Sequence, residues 1–102
     1  MDGYSKVIMI GYLTKDATLA TLPNGLLKTE LRIAVNTTKT ETCFVDVVTW
    51  GDIAKSVVHF KKGQQVFVEG KLKYETWKDK MTGQERSVHK IVATTCELVA
   101  EE

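Results

Sequence analysis

The chain places aromatic and basic residues where they would share one face of an extended strand. In the segment LKYETWKDKMTGQERS, Trp77 has the same parity as Lys71 and Lys73, so a strand carries all three on one side. Phe44 and Trp50 likewise share one side of the segment CFVDVVTW. Rings interleaved with cations suit a single nucleic-acid strand, because its bases stack on aromatic faces and its phosphates attract positive charge.

Further cations follow Trp77 on both arms of a predicted hairpin. The segment from Lys71 to Lys90 holds six basic residues, namely Lys71, Lys73, Lys78, Lys80, Arg86 and Lys90. We expect this hairpin to project beyond the rest of the sheet and to grip a nucleic-acid backbone. Glu75, Asp79 and Glu85 offset half of the positive charge, and an ordinary solvated hairpin remains the alternative, above all for Lys78 and Lys80.

Composition narrows the classes of protein without selecting one. The 102 residues carry a net charge of +1, with 43% hydrophobic and 26% charged residues, which is typical of one small globular domain. Any positive surface for nucleic acid must therefore be built locally. The sequence contains no apolar run of membrane-spanning length and no visible signal peptide, so we expect a cytoplasmic protein.

Residues that could do covalent or metal chemistry are sparse. Cys43 and Cys96 lie far apart without a partner motif, which predicts two free thiols and no metal site. His59 and His89 have no nucleophile or carboxylate at catalytic spacing, so we expect no catalytic residue, no cofactor and no enzyme activity.

Alternating hydrophobicity predicts an all-β fold. The expected strands cover residues 6–14, 26–35, 43–50, 65–77 and 85–98. A short helix over residues 53–60, with Asp52 as its N-cap, separates the third strand from the fourth. Residues 16–25 read as a loop, and Gly11 and Gly70 interrupt strands as the corners of a closed sheet do. Together these features predict a five-stranded OB-fold barrel with one short helix, forming a single domain over residues 1–102.

Four segments in this order, KVIMIGYLTKD, LPNG, VVTWGDIAK and FKKGQQVFVEGKLKYETW, resemble the bacterial single-stranded DNA-binding protein family along nearly the whole chain. The resemblance implies an OB-fold that assembles, usually as a homotetramer and sometimes as a dimer of two-domain chains. It also implies the coating of single-stranded DNA in replication, recombination and repair.

The family's binding residues map onto positions of this chain. The resemblance implies base stacking on Phe44, Trp50 and Trp77 and phosphate contacts from Lys6, Lys71 and Lys73. From the charge of the hairpin, we add Lys78 and Arg86 to the expected nucleic-acid-binding residues.

The chain departs from the family pattern at three places. The loop of residues 36–42 is short and has no aromatic residue, and Asp46 stands where some relatives have arginine, which removes one cation. The sequence stops at LVAEE, without the acidic tail by which relatives recruit replication and repair proteins. We therefore expect a tailless type, of plasmid, phage, organellar or competence origin, or a truncated chain.

The first strand is apolar on both faces. Either Ile8 and Ile10 or Val7 and Met9 must lie outside the barrel, and we expect a second copy of the chain to cover them.

Two alternatives remain open from the sequence. A primosomal replication protein N-like adaptor, dimeric and also tailless, would bind both single-stranded DNA and replication proteins, although VEGKL and WGDIAK favour the first family. An OB module that binds protein or oligosaccharide would use the same aromatic residues as an ordinary interface. Oligomer size would distinguish the adaptor from the first family. Binding that does not respond to salt or to added DNA would favour the module that binds protein or oligosaccharide.

Overall fold

Strands dominate residues 3–99, the part of the chain that the computed structural model describes. In chain order the elements are β1 (Val7–Leu13), β2 (Thr18–Thr21), β3 (Leu27–Asn36), β4 (Thr42–Trp50), α1 (Gly51–Val57), β5 (Gln65–Lys78) and β6 (Glu85–Leu98). No helix within this part of the chain is long and apolar enough to cross a membrane.

The sheet closes on itself. The strands follow the order β1-β5-β6-β4-β3-β2, and an additional pairing of β1 with β3 joins the two sides of the ring. The pairing of β4 with β6 is parallel, and the other pairings are antiparallel. The predicted five-stranded OB-fold barrel is therefore confirmed, with α1 between the third and fourth barrel strands.

Strand alternation separates the core from the outer surface. Leu31, Ile33, Val47, Val66 and Val68 are fully buried inside the barrel. On β1, Val7 and Met9 pack against this core, whereas Ile8 and Ile10 are exposed. The structure thus resolves which pair of the first strand lies outside.

Two buried hydroxyl groups join β4 to β3 and β3 to the helix. Thr29 Oγ1 donates to the carbonyl oxygen of Ala54 at 2.8 Å, and Thr49 Oγ1 donates to that of Thr29 at 2.9 Å. Both threonines are fully buried, so leaving either hydroxyl unpaired would cost about 1–3 kcal/mol. These bonds fix the end of β4 and therefore the position of Trp50.

Three local predictions made from the sequence are wrong. The predicted loop 16–25 contains β2, which pairs with β3 and turns back at Gly25, a residue with φ of 85°. Asp52 is not the N-cap of α1, because that position is Trp50 and no side chain caps the helix. The helix also ends at Val57 rather than at residue 60.

A close approach between β5 and β6 requires glycine at Gly70. A Cβ atom there would meet the carbonyl oxygen of Val92 and would lie 2.9 Å from the Cα of Ala93. The register shifts at this point, where Glu69 pairs with Thr95 and Gly70 with Ala93. The resulting bulge bends both strands, as barrel closure demands.

Replacing Gly70 with alanine should lower the free energy of unfolding by about 1–3 kcal/mol, since the new methyl group displaces backbone. Urea unfolding followed by circular dichroism measures the change. Gly3→Ala is the matched control, because a Cβ at Gly3 meets nothing within 4 Å. Equal stability of the two variants would contradict the close approach.

The two thiols should differ in reactivity. Cys43 is exposed and Cys96 is buried, and burial raises the pKa of the Cys96 thiol to about 11. A thiol reagent at pH 8 should modify one cysteine per folded chain, because the thiolate is the reacting form. The Cys43→Ser variant should react only after unfolding; rapid reaction of the folded variant would contradict the burial of Cys96.

Candidate nucleic-acid interface

Outward residues of β3, β4, β6 and β5 form one continuous surface. The register pairs Lys28 with Trp50, Val48 with Val92, and Lys73 with Lys90, and directly paired residues point to the same side of a sheet. We call this surface the cross-strand face, and its members are Lys28, Arg32, Phe44, Asp46, Trp50, Lys71, Lys73, Glu75, Trp77, Arg86 and Lys90.

On β3 and β4, each of two aromatic rings has a cation beside it. The Lys28 Nζ lies 5.4 Å from the ring centroid of Trp50, and the Arg32 Cζ lies 5.6 Å from that of Phe44. The Phe44 side chain is 57% exposed and so has an open face. Cation–π contacts at exposed sites contribute about 0.5–1 kcal/mol, enough to orient these side chains.

Asp46 has a different role from the one its charge predicts. Its Oδ1 accepts a hydrogen bond from Arg32 Nη1 at 2.8 Å. The carboxylate thereby holds the guanidinium beside Phe44 while neutralising its charge. Asp46 stands where some relatives have arginine, but it pairs with Arg32 on the neighbouring strand. Sequence reasoning did not select Arg32 as a cation of this surface.

On β5 and β6, Trp77 borders an open depression of about 460 Å³. Its lining residues are Lys73, Glu75, Thr76, Trp77 and Lys90. A second depression, of about 230 Å³, lies between β4 and β6 and is also lined by Lys90, together with Asp46 and Glu30. Lys90 therefore connects the two halves of the cross-strand face.

Lys6 and Lys71 lie beside each other at the β1 side of β5. They share a depression of about 150 Å³ with Tyr4 and Glu69. The Lys6 Nζ lies 2.8 Å from Glu69 Oε1, and the hydrogen bond and charge of Glu69 raise the pKa of Lys6. Lys71 makes no ion pair with any residue in the range 3–99, and its pairing with Val92 places it on the cross-strand face.

Arg86 and Lys78 lie at the far end of the hairpin. Arg86 is opposite Trp77 in the register, and its Nε donates to Asp79 Oδ2 at 2.9 Å. The backbone N–H of Met81 and the guanidinium of Arg86 lower the pKa of Asp79, so the carboxylate stays ionised and orders the turn. Lys78 has the opposite strand parity to Trp77 and belongs to the other face of the hairpin.

Sequence reasoning missed Lys28 and Arg32 as binding residues, and it named Lys90 among the hairpin cations without selecting it as a binding residue. Their outward parity on β3 and β6 is visible in the sequence. The signal that selects them is the register of β3 against β4 and of β6 against β5, and no local pattern encodes it. Within residues 3–99, no group of three or more potential ligand side chains could hold a metal ion.

The closed barrel, with its parallel β4–β6 pairing and the helix between the third and fourth barrel strands, places the chain in the OB-fold class of proteins. The model of the single-strand binding protein family matches residues 4–99, and the chain belongs to this family.

Named relatives agree with this assignment. The chain is 36% identical to the single-stranded DNA-binding protein of Wolinella succinogenes and 34% identical to that of Helicobacter hepaticus, in each case over 94% of its own length. It covers 64% and 61% of those two proteins, less than two thirds of their length. A crystal structure of a deletion mutant of the single-stranded DNA binding protein from Thermus aquaticus superimposes with a TM-score of 0.82 at 27% identity, covering 97% of this chain and 42% of that one.

Proposed function

We propose that this chain binds single-stranded DNA without sequence preference, through the cross-strand face. The observation that carries the proposal is the position of Phe44, Trp50 and Trp77 on one surface, each with cations nearby. Every base offers a flat face for stacking, and stacking contributes about 1–3 kcal/mol per base. Family membership and the printed names of the relatives support the same ligand.

In this proposal the protein is a stoichiometric coat rather than a catalyst. Bases stack on the three rings, while Lys71, Lys73 and Lys6 contact phosphates near β5. Residues 1–102 act as one DNA-binding domain in the cytoplasm, where single strands arise during replication, recombination and repair.

Affinity should depend on salt only moderately. Most cations of the cross-strand face already have a carboxylate partner: Lys28 pairs with Glu30 at 3.0 Å, and Arg32 with Asp46 at 2.8 Å. Each phosphate neutralised on a single strand contributes roughly −0.7 to the slope of log affinity against log salt. A surface with few free cations neutralises few phosphates, so the slope is shallow.

Self-association as a homotetramer is the second part of the proposal. Ile8, Ile10 and Tyr12 are 59%, 51% and 46% exposed on the outer side of β1. Between Val7 and Gly11, one edge of β1 has no strand partner among residues 3–99. A free edge beside an apolar surface favours pairing with another copy of the chain.

Tryptophan fluorescence tests the DNA-binding proposal directly. Trp50→Phe and Trp77→Phe each leave one tryptophan, and oligo-dT should quench the emission of both variants whereas duplex DNA should not. Trp77→Ala should weaken binding by about 5–150-fold, the equivalent of 1–3 kcal/mol.

Tyr74→Ala is the matched control for Trp77→Ala. Tyr74 lies on the same strand, is 58% exposed and has the opposite parity, so its loss should leave affinity nearly unchanged. Equal losses from the two variants, or no quenching of either single-tryptophan protein, would refute binding on this face.

Sedimentation equilibrium tests the assembly. Ile10→Lys should convert the tetramer to smaller species, because a charge buried without a partner opposes association. Leu19→Lys, at a 45% exposed position on β2, should leave the assembly intact. A wild-type monomer would contradict self-association, and a wild-type dimer would favour the adaptor alternative.

A further inference from the structure

Glu75 occupies an unusual electrostatic position on the cross-strand face. Its Oε1 lies 3.4 Å from Lys73 Nζ on the same strand, and its Oε2 lies 3.4 Å from Lys90 Nζ on β6. Each carboxylate oxygen thus has its own lysine. Among residues 3–99, the other ion-paired carboxylates each have a single cationic partner.

The three charged groups line the depression beside the Trp77 ring. A nucleotide stacked on that ring would carry its phosphate into the same space, since base and phosphate are joined through one sugar. Lys73 and Lys90 are the cations that line this space, and both are already engaged by Glu75.

We propose that Glu75 occupies, in the free protein, the place of a backbone phosphate between Lys73 and Lys90 and must be displaced when a single strand binds. The proposal deepens the proposed function and rests on it. Binding then exchanges one anion for another at these two lysines, so the free energy gained is a difference between two similar contacts. Glu75 thereby limits the affinity for DNA at Trp77 and eases the dissociation of the bound DNA strand.

The ionisation state of Glu75 supports the exchange. Desolvation acts to raise the pKa of this carboxyl group, but the charges and hydrogen bonds of Lys90 and Lys73 outweigh it and lower the pKa. The group is therefore an anion at neutral pH. Its side chain is 34% exposed, which leaves it free to turn towards solvent once the lysines bind another anion.

The test compares Glu75→Gln with Glu85→Gln by oligo-dT titration at several salt concentrations. Both variants remove one negative charge from the hairpin, so they alter its overall field equally. Glu85 is exposed, pairs with Lys78 in the register and lies on the opposite face. We expect Glu75→Gln to bind about tenfold more tightly at low salt, with a salt slope steeper by roughly 0.7 for one additional phosphate neutralised. Glu85→Gln should change affinity by less than twofold.

Two further variants isolate the mechanism. Glu75→Asp keeps the negative charge and should bind less tightly than Glu75→Gln, whereas adding Lys73→Gln and Lys90→Gln to Glu75→Gln should abolish its gain. If Glu75→Gln proves unstable to heat, Glu75→Thr repeats the test with a residue of higher strand propensity.

The outcomes separate the two proposals. Equal affinities and slopes for Glu75→Gln and Glu85→Gln, with a wild-type protein that binds oligo-dT, would overturn the role of Glu75 and leave the proposed function standing. Absence of binding by the wild-type protein at low salt would overturn both.

Discussion

Closure of the barrel depends on strands that approach one another more closely than side chains allow. Gly70 faces the backbone of Val92 and Ala93, and a Cβ at Gly11 would lie 2.6 Å from the carbonyl oxygen of Ala34. These two contacts let β1 and β5 bend around the core, so that β6 reaches β4 through the pairs Val47–Ile91 and Val48–Val92. Without that parallel contact the sheet would stay open, and its outer surface would be divided.

The same contact assembles the cross-strand face. Because Val48 pairs with Val92, the outward sides of β4 and β6 coincide, and Lys90 becomes the link between Trp50 and Trp77. The register of β4 against β6 therefore determines both which residues lie inside the barrel and which lie outside it. Carboxylates interleaved with the cations keep this surface close to neutral, consistent with the net charge of +1.

The sequence was sufficient for the order of elements and for the parity of the aromatic residues, because alternation and glycine positions are local signals. It failed where tertiary contacts override local patterns. Residues 18–21 form β2 only because β3 offers an edge, and Leu72 and Tyr74 share the parity of Val68 yet are exposed because the barrel ends below them. The cations at Lys28, Arg32 and Lys90 could not be selected without the register, and Asp46 could not be recognised as a partner of Arg32.

The two tryptophans differ in the stiffness of their supports. Trp50 follows the buried bonds of Thr49 and Thr29 in the closed barrel, whereas Trp77 lies on a two-stranded arm past Leu72 that has no further strand neighbour among residues 3–99. Such an arm opens and bends at a lower free energy than the barrel does. The support of Trp50 is rigid and that of Trp77 is elastic. A single DNA strand bound across both, as proposed, would adjust its base spacing and detach first at Trp77.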